Sequence, residues 1–162
     1  MKLIGKGAFT KAYLLDDGRV QLHTCCPIKE SMAWGWFPDS KLFPKLTYVD
    51  VGVYEMDYLT RVTAPKRQLN EASYKLYKAL QLVYGDYDAI DYFSIYKSLE
   101  KHLEGFKELE EVLEALDACS NWGTDIGFEI SPRNISVDDK GNLILADCFF
   151  HRPTLTEVRS KK

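Results

Sequence analysis

The sequence predicts an α+β fold in two parts: a small antiparallel sheet unit over residues 1–59 and a helical unit over 69–162, joined by a crossing at 60–68. Three observations predict it. The N-terminal part holds short β-prone runs punctuated by glycine and Asp-Gly turn signals. After residue 68 the apolar spacing changes to three and four, the period of a helix. Near residue 140 two short apolar runs again flank a polar turn.

Taken in order, residues 2–4 form a short apolar strand. Residues 12–15 and 19–24 flank Asp16-Asp17-Gly18, a hairpin signal. Residues 27–34 read as a short helix with Pro27 in its first turn, and 35–40 as a loop. Two strands, 46–50 and 53–59, meet at Gly52. Residues 60–68, with Pro65 and several basic side chains, read as a linker or hinge. Residues 69–84 carry a helical stripe of Leu69, Ala72, Leu76, Leu80 and Val83. Residues 85–91 interrupt it. Residues 92–119 form one or two helices, with Leu109, Val112, Leu113, Leu116 and Cys119 on one face. Residues 121–128 read as a loop, and 135–137 and 143–146 as strands around the turn at 138–142. There is no internal repeat and no low-complexity tract.

Composition narrows the function. At 46% hydrophobic and 13% aromatic, the chain can bury a real core. A net charge of −3 argues against a protein that coats nucleic acid, leaving room only for a local basic patch. Cys25 and Cys26 are adjacent, and neither they nor Cys119 and Cys148 make a Cys-x-x-Cys pair, so no zinc site or disulfide framework is expected. Reduced thiols in a cytoplasmic protein are the simple reading. Residues 1–7 lack the apolar run of a signal peptide. No run of about 18 apolar residues exists to span a membrane.

The chemistry concentrates in Glu129-Ile-Ser-Pro-Arg-Asn134-Ile-Ser-Val137 and Leu143-Ile-Leu-Ala-Asp147-Cys-Phe149. An acidic residue, an asparagine and an aspartate gather around one hairpin. Phosphoryl transfer needs this set: one carboxylate to orient or deprotonate a hydroxyl, and an amide oxygen and a second carboxylate to hold magnesium. The stretch resembles the catalytic loop and metal-binding aspartate of the protein kinase superfamily. Pro132, Asn134, Ile135, Val137 and Leu145-Ala146-Asp147 match its pattern. Gly127-Phe128-Glu129 stands where that family has His-Arg-Asp, and Cys148-Phe149 where it has Phe-Gly. The resemblance implies a reduced two-lobe protein-kinase-like fold, a small antiparallel sheet lobe plus a truncated helical lobe. It also implies ATP and Mg2+ as cofactors, with Glu129 in the catalytic position and Asn134 and Asp147 on the metal. Asp125 is a second candidate carboxylate.

Other positions follow from the same resemblance. Gly5-Lys-Gly7-Ala-Phe9 lies between two predicted strands, where glycines let backbone amides approach phosphate and Phe9 caps them. The family's third glycine is replaced by Thr10, and an ordinary turn is the alternative. The lysine expected on the third strand is absent. Aligned as Val20-Gln-Leu-His23, His23 takes its place, with Arg19 or Lys29 as substitutes and an ordinary strand-end histidine as the alternative. Glu30 is the candidate partner of that cation, or else a solvated helical glutamate. Val53-Tyr-Glu-Met56-Asp57-Tyr-Leu59 resembles the hinge, with Met56 behind the adenine and the Asp57 carbonyl and Leu59 amide on the base edge.

Among kinase-like proteins the chain resembles the small C-terminally truncated members of short-tailed bacteriophages, which open with Gly-x-Gly-x-Phe and end soon after the metal aspartate. The activation segment, Ala-Pro-Glu stop and peptide-holding helices of a full kinase are missing here. Members of that group disable host proteins, by phosphorylation or otherwise. This implies a host-protein target in the host cytoplasm, with no nucleic-acid or membrane partner. An active kinase and a pseudokinase that binds and inhibits its partner both fit, and a small-molecule phosphotransferase fits less well. The sequence specifies no oligomeric state.

Overall fold

The structure is a computed structural model that describes residues 1–161, and its fold is α+β. Strands β1 (Lys2–Lys6), β2 (Thr10–Leu14) and β3 (Val20–Thr24) lead into helix α1 (Pro27–Ala33), followed by β4 (Thr47–Asp50) and β5 (Val53–Met56). They form one antiparallel sheet in the order β1-β2-β3-β5-β4. The two glycines read as turn signals do that work. Gly18 (φ 87°) and Gly52 (φ 72°) both adopt left-handed backbone, and a Cβ on Gly52 would lie 2.9 Å from the Thr24 carbonyl oxygen.

Helix α1 has seven residues, too few to be stable by propensity alone. Proline in its first turn presets the backbone, but burial holds it. Ile28 packs in the larger of two hydrophobic clusters and Met32 in the smaller, so α1 joins them. The smaller cluster is the inner face of the sheet, with Val20, Leu22, Tyr54 and Met56.

The crossing at 60–68 is not a free linker. Thr60–Arg61 is a short strand, β6, and Pro65–Gln68 a single helical turn, α2. The Gln68 side chain accepts from the amides of Thr63 and Ala64 (both 2.7 Å) and donates to the Arg61 carbonyl at 3.2 Å. One glutamine thus satisfies the backbone groups that a linker would give to water.

Helices α3 (Glu71–Tyr84), α4 (Tyr92–His102) and α5 (Leu109–Cys119) follow. Helix α3 starts later than the apolar stripe suggests, because the Asn70 side chain caps it by accepting from the Ser73 amide at 2.9 Å. Leu69 is buried ahead of the helix and Ala72 is exposed. The region 92–119 resolves into two helices separated at Gly105 (φ 84°). Helix α4 packs between α3 and α5, and Leu80, Val83, Ile95, Leu99, Val112 and Leu116 are each 0% exposed.

The last part brings β7 (Ile126–Phe128), β8 (Ile135–Val137), β9 (Leu143–Leu145), β10 (Phe149–His151) and α6 (Arg152–Ser160). Strands β6, β8 and β9 form one sheet, and β7 pairs with β10. The expected loop at 121–128 is therefore partly a strand. All three residues of β7 are buried, so it shows no alternation to read. Among the described residues, no helix is long and apolar enough to cross a membrane.

Pairing of β7 with β10 sets Gly127 opposite Phe150, and a Cβ on Gly127 would lie 2.2 Å from the ring's Cζ. Gly127→Ala should destabilise the chain by about 1–3 kcal/mol through overpacking. Gly127→Ala combined with Phe150→Ala should cost less than the sum of the single changes. Urea denaturation of the four proteins measures this coupling.

Candidate functional site

Below the β1–β2 hairpin lies a cavity of ≈350 Å3 where the two ends of the sequence meet. Its roof is residues 5–10 with Ala12. Its floor is Glu129, Asn134 and Asp147, and Phe150 and Leu155 close one side. The hairpin is fixed at its base: the Gly7 amide donates to the Thr10 carbonyl at 2.8 Å, and Thr10 Oγ1 donates to Thr24 Oγ1 at 2.8 Å. Neither Gly5 nor Gly7 has positive φ, and a Cβ at either would make only ordinary contacts. The turn itself does not demand these glycines. What they do is leave backbone bare toward the cavity.

The floor is built by three short elements. Strand β7 carries Glu129 out of the core, and its amide donates to the Cys148 carbonyl at 2.8 Å. A 3-10 turn at Pro132–Asn134 then positions Asn134. Asn134 grips the main chain of Asp147 twice: its carbonyl accepts from the Asp147 amide, and its Nδ2 donates to the Asp147 carbonyl, both at 2.9 Å. The remaining amide oxygen accepts from Ser131 Oγ. Beyond β8, the turn closes on Asp138, which accepts from Asn142 and the Lys140 amide. Strand β9 then delivers Asp147 beside Asn134.

Behind the floor, Lys29 of α1 places Nζ 2.9 Å from Asp147 Oδ1 and 3.2 Å from the Ala146 carbonyl. Lys29 is 5% exposed, and the Asp147 side chain is 49% exposed. Burial alone would lower the Lys29 pKa. The charge and hydrogen bond of Asp147 outweigh it, and the pKa lies above the ordinary lysine value. Burial pushes the thiols of Cys26, Cys119 and Cys148 up, so all three are neutral at pH 7. Asp147 is thus the counter-charge that holds this ammonium in the interior.

Several expected positions fall elsewhere. His23 does not reach the cavity. Strand alternation turns it to the face opposite Val20 and Leu22, where Nε2 meets Gln21 Oε1 at 2.7 Å and the ring packs edge-on to Tyr13. The buried cation is Lys29, from the following helix. Glu30, its chain neighbour, points to a separate hollow with Trp34 and Tyr48 and does not pair with Lys29. Met56 is buried in the smaller cluster, Leu59 packs against it, and Asp57 is exposed near Arg19 at 3.8 Å. None of these three lines the cavity; the adjoining Arg61 does. Phe9 does line it, and Phe9 also packs on the larger cluster. Asp125 pairs with Arg152 at 3.6 Å and is not among the lining residues.

Sequence reading also missed the basic character of the cavity. Lys6, Arg61, Arg133 and Arg159 all line it, against Glu129 and Asp147. Arg133 lies 3.7 Å from Glu129. Among the described residues, no group of three or more His, Cys, Asp and Glu side chains could hold a metal ion. Asp147 and Asn134 suit a hard cation that keeps most of its waters and needs only one or two protein ligands, the habit of Mg2+ at a phosphate site. No protein-family model matches the chain, and no curated protein matches it.

The asymmetric burial of the pair makes its two halves unequal. Asp147→Asn leaves a buried ammonium without a counter-charge and should cost about 3 kcal/mol, the low end for a broken buried pair because Asp147 is half-exposed. Lys29→Met leaves a carboxylate that water can solvate and should cost less. Because the Lys29 pKa is raised on folding, its contribution is complete below the unfolded value and is lost as pH rises through the folded value. The stability gap between the parent and Asp147→Asn should therefore hold at pH 7–9 and close above about pH 10.5. Urea midpoints across that range measure it.

Proposed function

We propose that the chain is a kinase-like phosphotransferase that uses Mg–ATP and acts on a protein hydroxyl. In keeping with the truncated phage proteins it resembles, we place it in a bacteriophage, with a host protein as target. The observation that carries this reading is the convergence of Glu129, Asn134 and Asp147, the last tied from behind to buried Lys29, under a hairpin whose glycines serve the cavity rather than the turn. In protein kinases, the corresponding parts are a glycine-rich loop over the phosphates, a lysine on the third strand, and an Asn and an Asp on magnesium.

Each residue has a role that its geometry supports. Residues 5–9 line the cavity, and the hairpin amides not already bonded within it, as Gly7 is to Thr10, would serve as donors for phosphate oxygens. Lys29 is buried behind the floor and donates to Asp147 and the Ala146 carbonyl, so its role is to fix Asp147 in place. Asp147 and Asn134 would hold magnesium. Glu129 would orient the acceptor hydroxyl and take its proton, and Arg133 lies 3.7 Å from it. Mg–ATP, when bound, would supply the phosphoryl group and the metal's charge to offset that of the phosphates.

A second reading, a pseudokinase that binds and inhibits its partner, is favoured by one observation. Phe150 and Leu155 line the same cavity as Glu129, on ground that an acceptor needs.

Three measurements separate the readings. Mg–ATP should raise thermal stability, by roughly 2.7 kcal/mol at a hundredfold excess over Kd. Glu129→Gln should keep that shift while lowering phosphate transfer from labelled ATP by a factor on the order of 10²–10⁴. Gly7→Ala should fold at least as stably as the parent, since the alanine fits and restricts the unfolded chain, yet should weaken ATP binding. No melting shift, no transfer and intact capture of a host protein would move the conclusion to the second reading. Transfer by Glu129→Gln at the parent rate would remove Glu129 from its role.

A further inference from the structure

The reading of the cavity as a phosphoryl-transfer site leaves three of its cations without a task. Arg133 has Glu129, and Lys29 behind the floor has Asp147. Lys6, Arg61 and Arg159 line the cavity with no ion-pair partner among the described residues. They come from three separate elements, β1, β6 and α6. Like charges repel, and a chain of net charge −3 has carboxylates enough to pair them. Gathering them unpaired around one hollow produces a local positive field that an anion would relieve.

Helix α6 is held in place by side-chain contacts at its start. His151 anchors its start. Nε2 lies 3.0 Å from the Trp122 carbonyl, and Nδ1 accepts from the Thr154 amide at 3.3 Å and meets Thr154 Oγ1 at 2.7 Å. The Arg152 guanidinium sits 5.3 Å from the centroid of the Phe150 ring. From that base, Leu155 and Arg159, one helical turn apart, both line the cavity. With α6 seated, ≈350 Å3 remains open between it and the hairpin. The helix walls the cavity and does not fill it. Arg61 is equally fixed at its backbone, by the β6–β8 ladder and the Gln68 side chain.

We propose that α6 is a wall of the ligand site and that Arg159, with Lys6 and Arg61, binds the phosphate chain of a polyphosphate ligand. The proposal rests on the phosphoryl-transfer reading but can stand or fall apart from it. Arginine is suited to the task because its planar fork matches phosphate oxygens and it is always charged. Arg159 is a positioning and binding residue. It holds the phosphate chain against the bare hairpin and takes no part in proton transfer.

Calorimetric titration of the full chain with inorganic tripolyphosphate, ATP and AMP tests it. Arg159 is exposed, so Arg159→Gln should melt as the parent does. It should weaken tripolyphosphate and ATP by on the order of fivefold, the scale of a partly screened charge pair, and AMP much less. Its ATP affinity should also fall less steeply with salt, and Arg159→Lys should recover most of the loss. If tripolyphosphate binds the parent, Arg159→Gln weakens it and ATP does not bind, the proposal stands and the nucleotide reading fails. If ATP binds parent and Arg159→Gln alike, the proposal fails and the nucleotide reading stands. Tighter binding by Arg159→Gln or Leu155→Ala would show that α6 obstructs the cavity and would overturn the proposal. Failure of every anion to bind the parent would overturn both.

Discussion

The ion pair between Lys29 and Asp147 is the contact on which the rest of the arrangement depends. It ties α1, the helix that both hydrophobic clusters share, to the segment between β9 and β10. Asn134 then holds the main chain of Asp147, so the turn at 132–134 and helix α1 are registered through one residue. A buried ion pair contributes little net stability, because desolvation cancels much of the attraction. Its effect is selective. With neutral thiols around it, the ammonium accepts one arrangement of α1 against β9, the one that presents a carboxylate. The cavity's floor and its rear wall are therefore set by the same bond.

The hairpins and the main helices are legible in the sequence because each has a local cause. Gly18 and Gly52 take backbone that other residues avoid, and α5 shows its buried stripe residue by residue. Strands β6, β7 and β10 are not legible. They have two or three residues each, and their pairing partners lie far away in sequence, as when β7 meets β10. Periodicity has nothing to act on at that length. The linker reading of 60–68 fails for a related reason, since only the folded chain brings Gln68 onto its own backbone.

The candidate site divides the same way. Glu129, Asn134 and Asp147 could be found because they bracket a hairpin. Lys29 was overshadowed by an alignment of strand positions that led to His23. A signal did exist: on a helix, position 29 shares a face with Cys26, Met32 and Ala33, so its ammonium had to enter the interior and find a carboxylate there. Arg61 and Arg159 carried no such signal. A whole-chain charge of −3 averages over a surface on which four of the cations gather around one cavity.

Gly127 bears on how such a chain could have arisen. It stands where the family it resembles has histidine, and that departure reads as a simple loss when the sequence is viewed alone. Here the space that a side chain at 127 would occupy is filled by Phe150, which approaches a Cβ position to 2.2 Å. Gly127 and the Phe150 ring of β10 are thus one packing arrangement and not two. A histidine at 127 could not coexist with this crossing strand. Residues 127 and 150 are expected to vary together or not at all.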